Sequence, residues 1–324
     1  MTARPANKPR TGAPLPALLL ALLVAAAPPA RAEDKPSDPA RVQVNVDPRR
    51  FGQKPEDAAY GAFQRGLYVT ALNLALPRAR SGDPAAQTLA AEIHMRGFGV
   101  RRNEKEAALW YEKAAAQGVA EAQFQLALIL YAGESLPRDE ARGRSLLKEA
   151  AASGHALAAF NYAQDILRQN GSAAAYPYYL QAAKAGLPDA QFAMAQLIGQ
   201  GQGAPKDTEE MARDWLMRAA RQNYDTAQLD LGAWMIEGKG GPADAKAGFG
   251  WIYRAALSGN IAARNRLAKL YMAGIGTEPD AVSAGAWTIL ARRAGLTDPV
   301  MSDFMDGLSA ETEKKALAKA NLLR

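Results

Sequence analysis

From Gly82 onward the apolar residues fall in short arcs, three and four positions apart, and the arcs recur. Aligned on the glycine that opens each unit, once an asparagine, the starts are Gly82, Gly118, Gly154, Gly186, Asn223 and Gly259, with Gly295 closing the last. The period is about 36 residues, and the third unit, 154–185, is four short of it. Four places after each opening residue stands an alanine: Ala86, Ala122, Ala158, Ala190, Ala227, Ala263. Eight places after it stands an apolar residue: Ala90, Leu126, Tyr162, Met194, Leu231, Leu267. This spacing buries one face of a helix, and the invariably small residue allows a neighbouring helix to come close.

Each unit has room for two helices. In the first, Pro84 to Arg96 reads as a helix that starts on a proline, whose missing N–H costs nothing in the first turn, and ends at Gly97 and Gly99. A second helix begins near Asn103 as its cap and stops at Gly118. The second helices share a signature, a large ring followed by paired alanines: Trp110 with Ala114 and Ala115, Trp215 with Ala219 and Ala220, Trp251 with Ala255 and Ala256. Trp287 holds the same place in the last unit, while Leu146-Leu147 and Tyr178-Tyr179 replace it in the two middle ones. These rings are expected to be core wedges between stacked hairpins. Repeats of this kind predict an all-α protein, an α/α superhelical solenoid in which every hairpin rests on its neighbours.

The units at 82–117, 118–153, 154–185, 186–222, 223–258 and 259–295 carry a resemblance. Gly82 to Gln117 holds Ala86-Gln87, Gly97, Gly99-Val100, Trp110-Tyr111 and Lys113-Ala114-Ala115, and this pattern is similar to the Sel1-like repeat, a relative of the tetratricopeptide repeat (TPR). The resemblance implies a TPR-like solenoid that holds other proteins. The third unit departs from the pattern: Asn170-Gly171 replaces the Gly-x-Gly turn and Pro177 stands near its second helix, so a local change of curvature is expected. Residues 56–81 read as a TPR-like capping hairpin hinged near Gly66. Residues 296–324 read as two C-terminal capping helices, Asp298 to Leu308 and Ser309 to Leu323, with Ser309 as a cap.

Ahead of the array, Arg4, Lys8 and Arg10 precede an apolar run from Leu15 to Ala27, and Ala30-Arg31-Ala32 follows. This is the layout of a secretory signal peptide over residues 1–32. The run is shorter than the roughly 20 residues a transmembrane helix needs. Cleavage after Ala32, a periplasmic or secreted location and no stable membrane insertion are therefore expected. Residues 33–55, with several prolines and charges, read as a poorly ordered linker. The charge follows the leader. The chain has 39 Lys and Arg, 33 Asp and Glu and a net charge of +6, but four of the basic residues lie in the first 32 positions, where no acid stands. The remainder is close to neutral and has no basic stripe with interleaved aromatics, so no nucleic-acid partner is expected.

Candidate chemistry is sparse. There is no cysteine, which removes disulfides, thiolate metal sites and thiol nucleophiles, and there are only two histidines, His94 and His155. The run Gly199 to Gly203 lies where the other units place their inter-helix turn. Gly238-Lys239 lacks the hydroxyl and the glycine spacing of a phosphate loop. No enzyme, cofactor or metal is expected.

Binding falls to the first helices, which in stacked hairpins usually line the inner wall. At about 100° per residue, positions +7, +10 and +14 share a stripe opposite the apolar arc at +4, +8, +11 and +12. Its polar members are Glu92 and Arg96; Gln125; Asn161, Gln164 and Arg168; Gln196 and Gln200; Asp230 and Glu237; Arg266 and Lys269. Amides dominate the middle and charges the ends, a surface suited to an extended peptide segment of another protein. Two functional classes follow. One is a periplasmic scaffold or adaptor for another protein, in envelope signalling or in polysaccharide or envelope assembly. The other is a glycan or peptidoglycan-fragment binder, which would use Phe124, Phe160 and Phe192 beside the stripe.

Overall fold

A computed structural model describes residues 58–202 and 208–323. The expected leader and linker, 1–32 and 33–55, lie outside the described residues. Among those described there are sixteen α-helices and no strand. The N-terminal hairpin is α1 (Ala58–Gln64) and α2 (Tyr68–Arg80), turning through Gly66 at φ 77°. The six units follow as α3 (Pro84–Arg96) with α4 (Glu104–Ala115), α5 (Ala120–Ala132) with α6 (Glu140–Ala152), and α7 (Ala156–Asn170) with α8 (Ser172–Lys184). Then come α9 (Pro188–Gly199) with α10 (Glu209–Arg221), α11 (Asp225–Glu237) with α12 (Ala245–Leu257), and α13 (Ile261–Ala273) with α14 (Ala281–Arg293). The C-terminal helices are α15 (Pro299–Asp306) and α16 (Ala310–Leu322). Each hairpin packs on itself and its second helix packs on the next first helix, while α16 lies against α14.

Local chemistry sets these boundaries. Asp83 accepts from the N–H groups of Ala85 and Ala86 at 2.9 and 3.3 Å, Pro84 opens α3, and Gly97 ends it in the left-handed region. Asn103, Asp139, Thr208, Asp244 and Asp280 each cap a second helix by accepting the N–H three residues on. The residue that opens each unit turns the chain at positive φ. Asn223, at φ 63°, is the one non-glycine residue with that conformation among those described, which is why it substitutes for glycine there. In the third unit Gly171 alone joins α7 to α8, so the missing residues come out of the inter-helix loop. The helix continues through Pro177.

The alanines four places into each unit are buried, from Ala86 at 3% exposure to five at 0%, as are the apolar residues eight places in. Trp110, Trp215 and Trp287 are buried as expected, and Trp251 is half-buried. In the hairpin of the fifth unit the helices cross closely, and a Cβ on Gly232 would sit 2.6 Å from the carbonyl oxygen of Gly248. Backbone meets backbone there.

The five clasps that hold one unit to the next share a design. Five residues into a unit, a side chain donates to the carbonyl of the alanine eight residues earlier, at the end of the preceding second helix. The glutamine Nε2 atoms reach Ala79 from Gln87 (3.1 Å), Ala115 from Gln123 (3.4 Å), Ala183 from Gln191 (3.2 Å) and Ala220 from Gln228 (3.0 Å). Arg264 Nε does the same to Ala256 at 3.3 Å. The third unit has Ala159 at this place, and Gln181 of α8 donates to the corresponding Ala151 carbonyl instead. Each of these helix-terminal carbonyls also accepts the N–H of the residue that opens the next unit, so the side chain takes its second lone pair and ties the following helix to it. Gln191→Met keeps the volume and removes the donor, so it is expected to cost about 1–2 kcal/mol in urea denaturation. A cost below roughly 0.3 kcal/mol would show that the clasp contributes nothing.

Candidate protein-binding wall

Eleven of the twelve stripe residues lie on six successive first helices, and Gln200 is the residue that caps the end of α9. None is buried: Arg96, Arg168, Gln200 and Glu237 are exposed and the other eight are half-buried. All twelve therefore keep some access to solvent. Consecutive helices bring some members together. Gln196 Nε2 donates to Asp230 at 2.7 Å, Glu237 lies 3.8 Å from Arg266, and Glu92 pairs with Arg96 at 3.0 Å within α3. Others are tied to residues outside the row. Gln125 donates to Glu121 at 2.8 Å, Arg168 pairs with Asp165 at 2.9 Å, and Lys269 pairs at 2.6 Å with Asp298, the cap of α15. Glu92 also accepts from the Tyr111 hydroxyl at 3.0 Å.

Three amides at the centre of the row remain. The side chains of Asn161, Gln164 and Gln200 have no hydrogen-bond partner among the described residues, and the Gln164 Oε1 is out of contact with solvent. Arg266 Nε shares that condition. A buried carbonyl oxygen without a donor is costly unless something else supplies one.

Electrostatics separates the structural members from these. Hydrogen bonds from Lys269 and Asn265 hold the Asp298 carboxyl down at about 2, so the C-terminal cap is pinned by a charge pair that uses up Lys269. Burial raises the Asp230 carboxyl, and the Gln196 hydrogen bond offsets this only in part. Glu121 is lowered first by its hydrogen bond with His155. His155 Nδ1 accepts the Ala158 N–H at 3.1 Å, so its Nε2 carries the hydrogen toward Glu121 at 2.9 Å. That histidine is a helix cap stacked on Phe124, not a free base.

One polar centre escaped the sequence reading. Asp165, at +11, is 2% exposed, in a register where the other units place Ile93, Ile129, Leu197, Trp234 and Leu270. It accepts from Arg144 of α6, from Arg168 at 2.9 Å, and from Gln169 and the Tyr131 hydroxyl at 3.3 Å each. Burial raises its carboxyl, but these hydrogen bonds outweigh burial and the net shift is downward. The signal in the sequence was an acid breaking an apolar register, with two arginines within reach.

The aromatic residues suited to a glycan are otherwise engaged. Phe124 and Phe160 are each 4% exposed, stacked on His155 and set edge-on to Tyr179. Phe192 is half-buried against Tyr224, with ring centroids 5.3 Å apart. Among the described residues no group of three or more His, Asp or Glu side chains is placed to hold a metal ion, and no helix is long and apolar enough to cross a membrane.

Comparison with known proteins agrees with this geometry. Over 79% of its length the chain is 28% identical to chitin synthase regulatory factor 3 of Schizosaccharomyces pombe, and over 62% it is 28% identical to an uncharacterized protein of Neisseria meningitidis serogroup B. It spans 29% and 42% of those two proteins, respectively. Among solved structures, a protective antigen of uropathogenic Escherichia coli with an SLR fold superposes at a TM-score of 0.70 with 22% identity. That match covers 82% of this chain and 60% of that one. A Sel1 repeat protein from Oxalobacter formigenes superposes at 0.61 with 26% identity, covering 74% of this chain and 97% of that one. The Sel1 repeat profile matches residues 84–119, 120–155, 188–224, 226–260 and 261–296, passing over only the shortened third unit of the array. With more than half of its length in such repeats and the hairpin stack they build, the chain belongs to the Sel1 repeat family.

Proposed function

We propose that this chain is an exported, non-enzymatic periplasmic scaffold whose first-helix wall holds an extended segment of another envelope protein, in a signalling or a polysaccharide or envelope-assembly system. Sel1 repeat proteins act as protein-interaction scaffolds, and the fission-yeast relative is by its name a regulatory factor. The observation that carries the reading is the trio Asn161, Gln164 and Gln200. In a row whose other members are largely spent on internal bonds, three amides on two consecutive units are left without a hydrogen-bond partner among the described residues, free to meet a peptide backbone. An extended segment offers alternating N–H and C=O groups that side-chain amides can meet from either end. The glycan reading has less support, because two of its three aromatics are core residues.

Location rests on the leader alone, residues 1–32. Export with cleavage after Ala32 gives a mature chain that starts at Glu33 and is released with the periplasmic fraction. Fractionation followed by mass spectrometry of the N-terminus reads both. Recovery of an intact leader with membranes after a high-salt wash would overturn this part of the proposal. A pull-down from envelope extracts is expected to retain a protein; retention of glycan without protein would favour the second reading.

A further inference from the structure

The two halves of the array treat their positive charges differently. From the large ring or its replacement onward, the second helices of the first two units are balanced: α4 carries Glu112 and Lys113, and α6 carries Lys148 and Glu149. Over the same stretch α10, α12 and α14 carry Arg218, Arg221, Arg254, Arg292 and Arg293 and no acid. All five are exposed, and among the described residues none pairs with a carboxylate. Arg78, Arg96, Arg142 and Arg144, by contrast, each have one. The contacts of the five are neutral. Arg218 and Arg254 lie over Trp215 and Trp251, 4.6 and 4.8 Å from the ring centroids, while Arg292 donates to the Ser302 hydroxyl and Arg293 to Asn321, at 2.9 Å each.

Repeat register puts these charges side by side. Six residues after the ring, successive second helices read Ala116, Ala152, Lys184, Arg221, Leu257 and Arg293, so small residues give way to a basic row from the third unit on. Of the flanking acids, Asp225 is half-buried and Asp298 is paired with Lys269. Asp214, Asp303 and Asp306 are exposed, fewer than the five arginines and Lys184. Large aliphatic side chains stand among the arginines. Leu257 is 52% exposed, Ile261 across the unit-opening turn is 40% exposed, and Val300, two residues before the Ser302 that Arg292 reaches, is 53% exposed. The helix dipole favours a cation in a last turn, but it gives no reason for exposed aliphatics between the cations. A lipid surface uses both, since phosphates meet the guanidinium groups and the acyl boundary takes the aliphatic side chains.

We propose that the ends of the second helices in units four to six rest on an anionic phospholipid surface, with the arginines at the headgroup phosphates and Leu257, Ile261 and Val300 reaching the acyl boundary. No helix inserts. The contact is electrostatic in the main and is released by salt, unlike an uncleaved leader. It lies on the second helices, away from the amide row, so lipid binding and partner capture succeed or fail independently.

Co-sedimentation with vesicles tests it, using the processed chain that starts at Glu33, because the leader is itself basic and apolar. Binding is expected to vesicles of mixed phosphatidylglycerol and phosphatidylcholine at low salt, to weaken as salt rises, and to be absent with phosphatidylcholine alone. A positive charge at such a surface strengthens binding about fivefold, so Arg221→Gln with Arg293→Gln should weaken it about 25-fold without lowering Tm. Leu257→Asn should weaken it several-fold. Arg101→Gln with Lys105→Gln removes the same charge from exposed residues of the first unit and should change it less than about twofold. Equal binding to phosphatidylcholine, an arginine pair variant that binds as the parent does, or an equal loss in the Arg101 and Lys105 variant would each overturn the proposal. So would capture of polyglutamate without vesicle binding, which would make an acidic protein segment the partner of this surface.

Discussion

Replacing Asp165 with alanine is expected to lower unfolding stability by about 2–3 kcal/mol, read by urea denaturation followed by circular dichroism. The carboxylate is buried, and it gathers Arg144 from the preceding unit, Arg168 and Gln169 from its own helix, and Tyr131 from α5. Its loss leaves donors without an acceptor across the junction that leads into the shortened unit. Both arginines are partly exposed, at 31% and 59%, and can turn to water, which sets the cost at the lower end of the range for broken buried pairs. Asp165→Leu combined with Arg144→Leu restores the apolar register of the other units and should recover most of the loss. The acid dependence follows in sign. The folded carboxyl titrates below its unfolded value of about 3.9, so its contribution is complete above that value and disappears as pH falls through the folded one. The gap between parent and Asp165→Ala should therefore close between about pH 4 and the folded value. A gap that is absent at neutral pH would show that the cluster holds nothing together.

The second expectation concerns the partner. Asn161→Ala, Gln164→Ala and Gln200→Ala together should weaken binding about 100-fold, at roughly 1 kcal/mol for each hydrogen bond lost. Tm should change by less than about 2 °C, because these side chains make no internal hydrogen bond that folding would miss. Gln196 is different. Gln196→Ala removes the donor from Asp230, a carboxyl already raised by burial, so stability falls along with any change in affinity. Calorimetric titration and thermal unfolding of the same variants separate the two effects. A triple variant that binds as the parent does would remove the amide row from the interface.

The sequence made much of the fold legible. Pro84 to Arg96 reads correctly to the residue, because an aspartate cap, a proline in the first turn and a left-handed glycine mark both ends with local chemistry. The same holds for Asn103 and Ser309, whose side chains accept the N–H groups expected of caps. The C-terminal helices come out shorter than Asp298 to Leu308 and Ser309 to Leu323, since the terminal residues serve as caps or turns. The polar row was legible as a face, because 100° per residue fixes which side chains share a side. Its internal pairings were not. Whether Gln196 meets Asp230, or Glu237 meets Arg266, depends on the offset between adjacent helices of different units, and no property of one helix sets that offset. Asp165 was missed for a related reason: an averaged register labels +11 apolar, and only the individual residue contradicts it. The Ala-Gln pair was visible as a motif, but its role as a clasp needs the carbonyl of the preceding helix.

Site-specific photocrosslinking locates the partner directly. A benzophenone side chain in place of Gln164 is expected to capture the partner segment, while the same group in place of Lys184, exposed on α8, captures nothing. Capture from position 184 with none from position 164 would contradict binding along the first-helix wall.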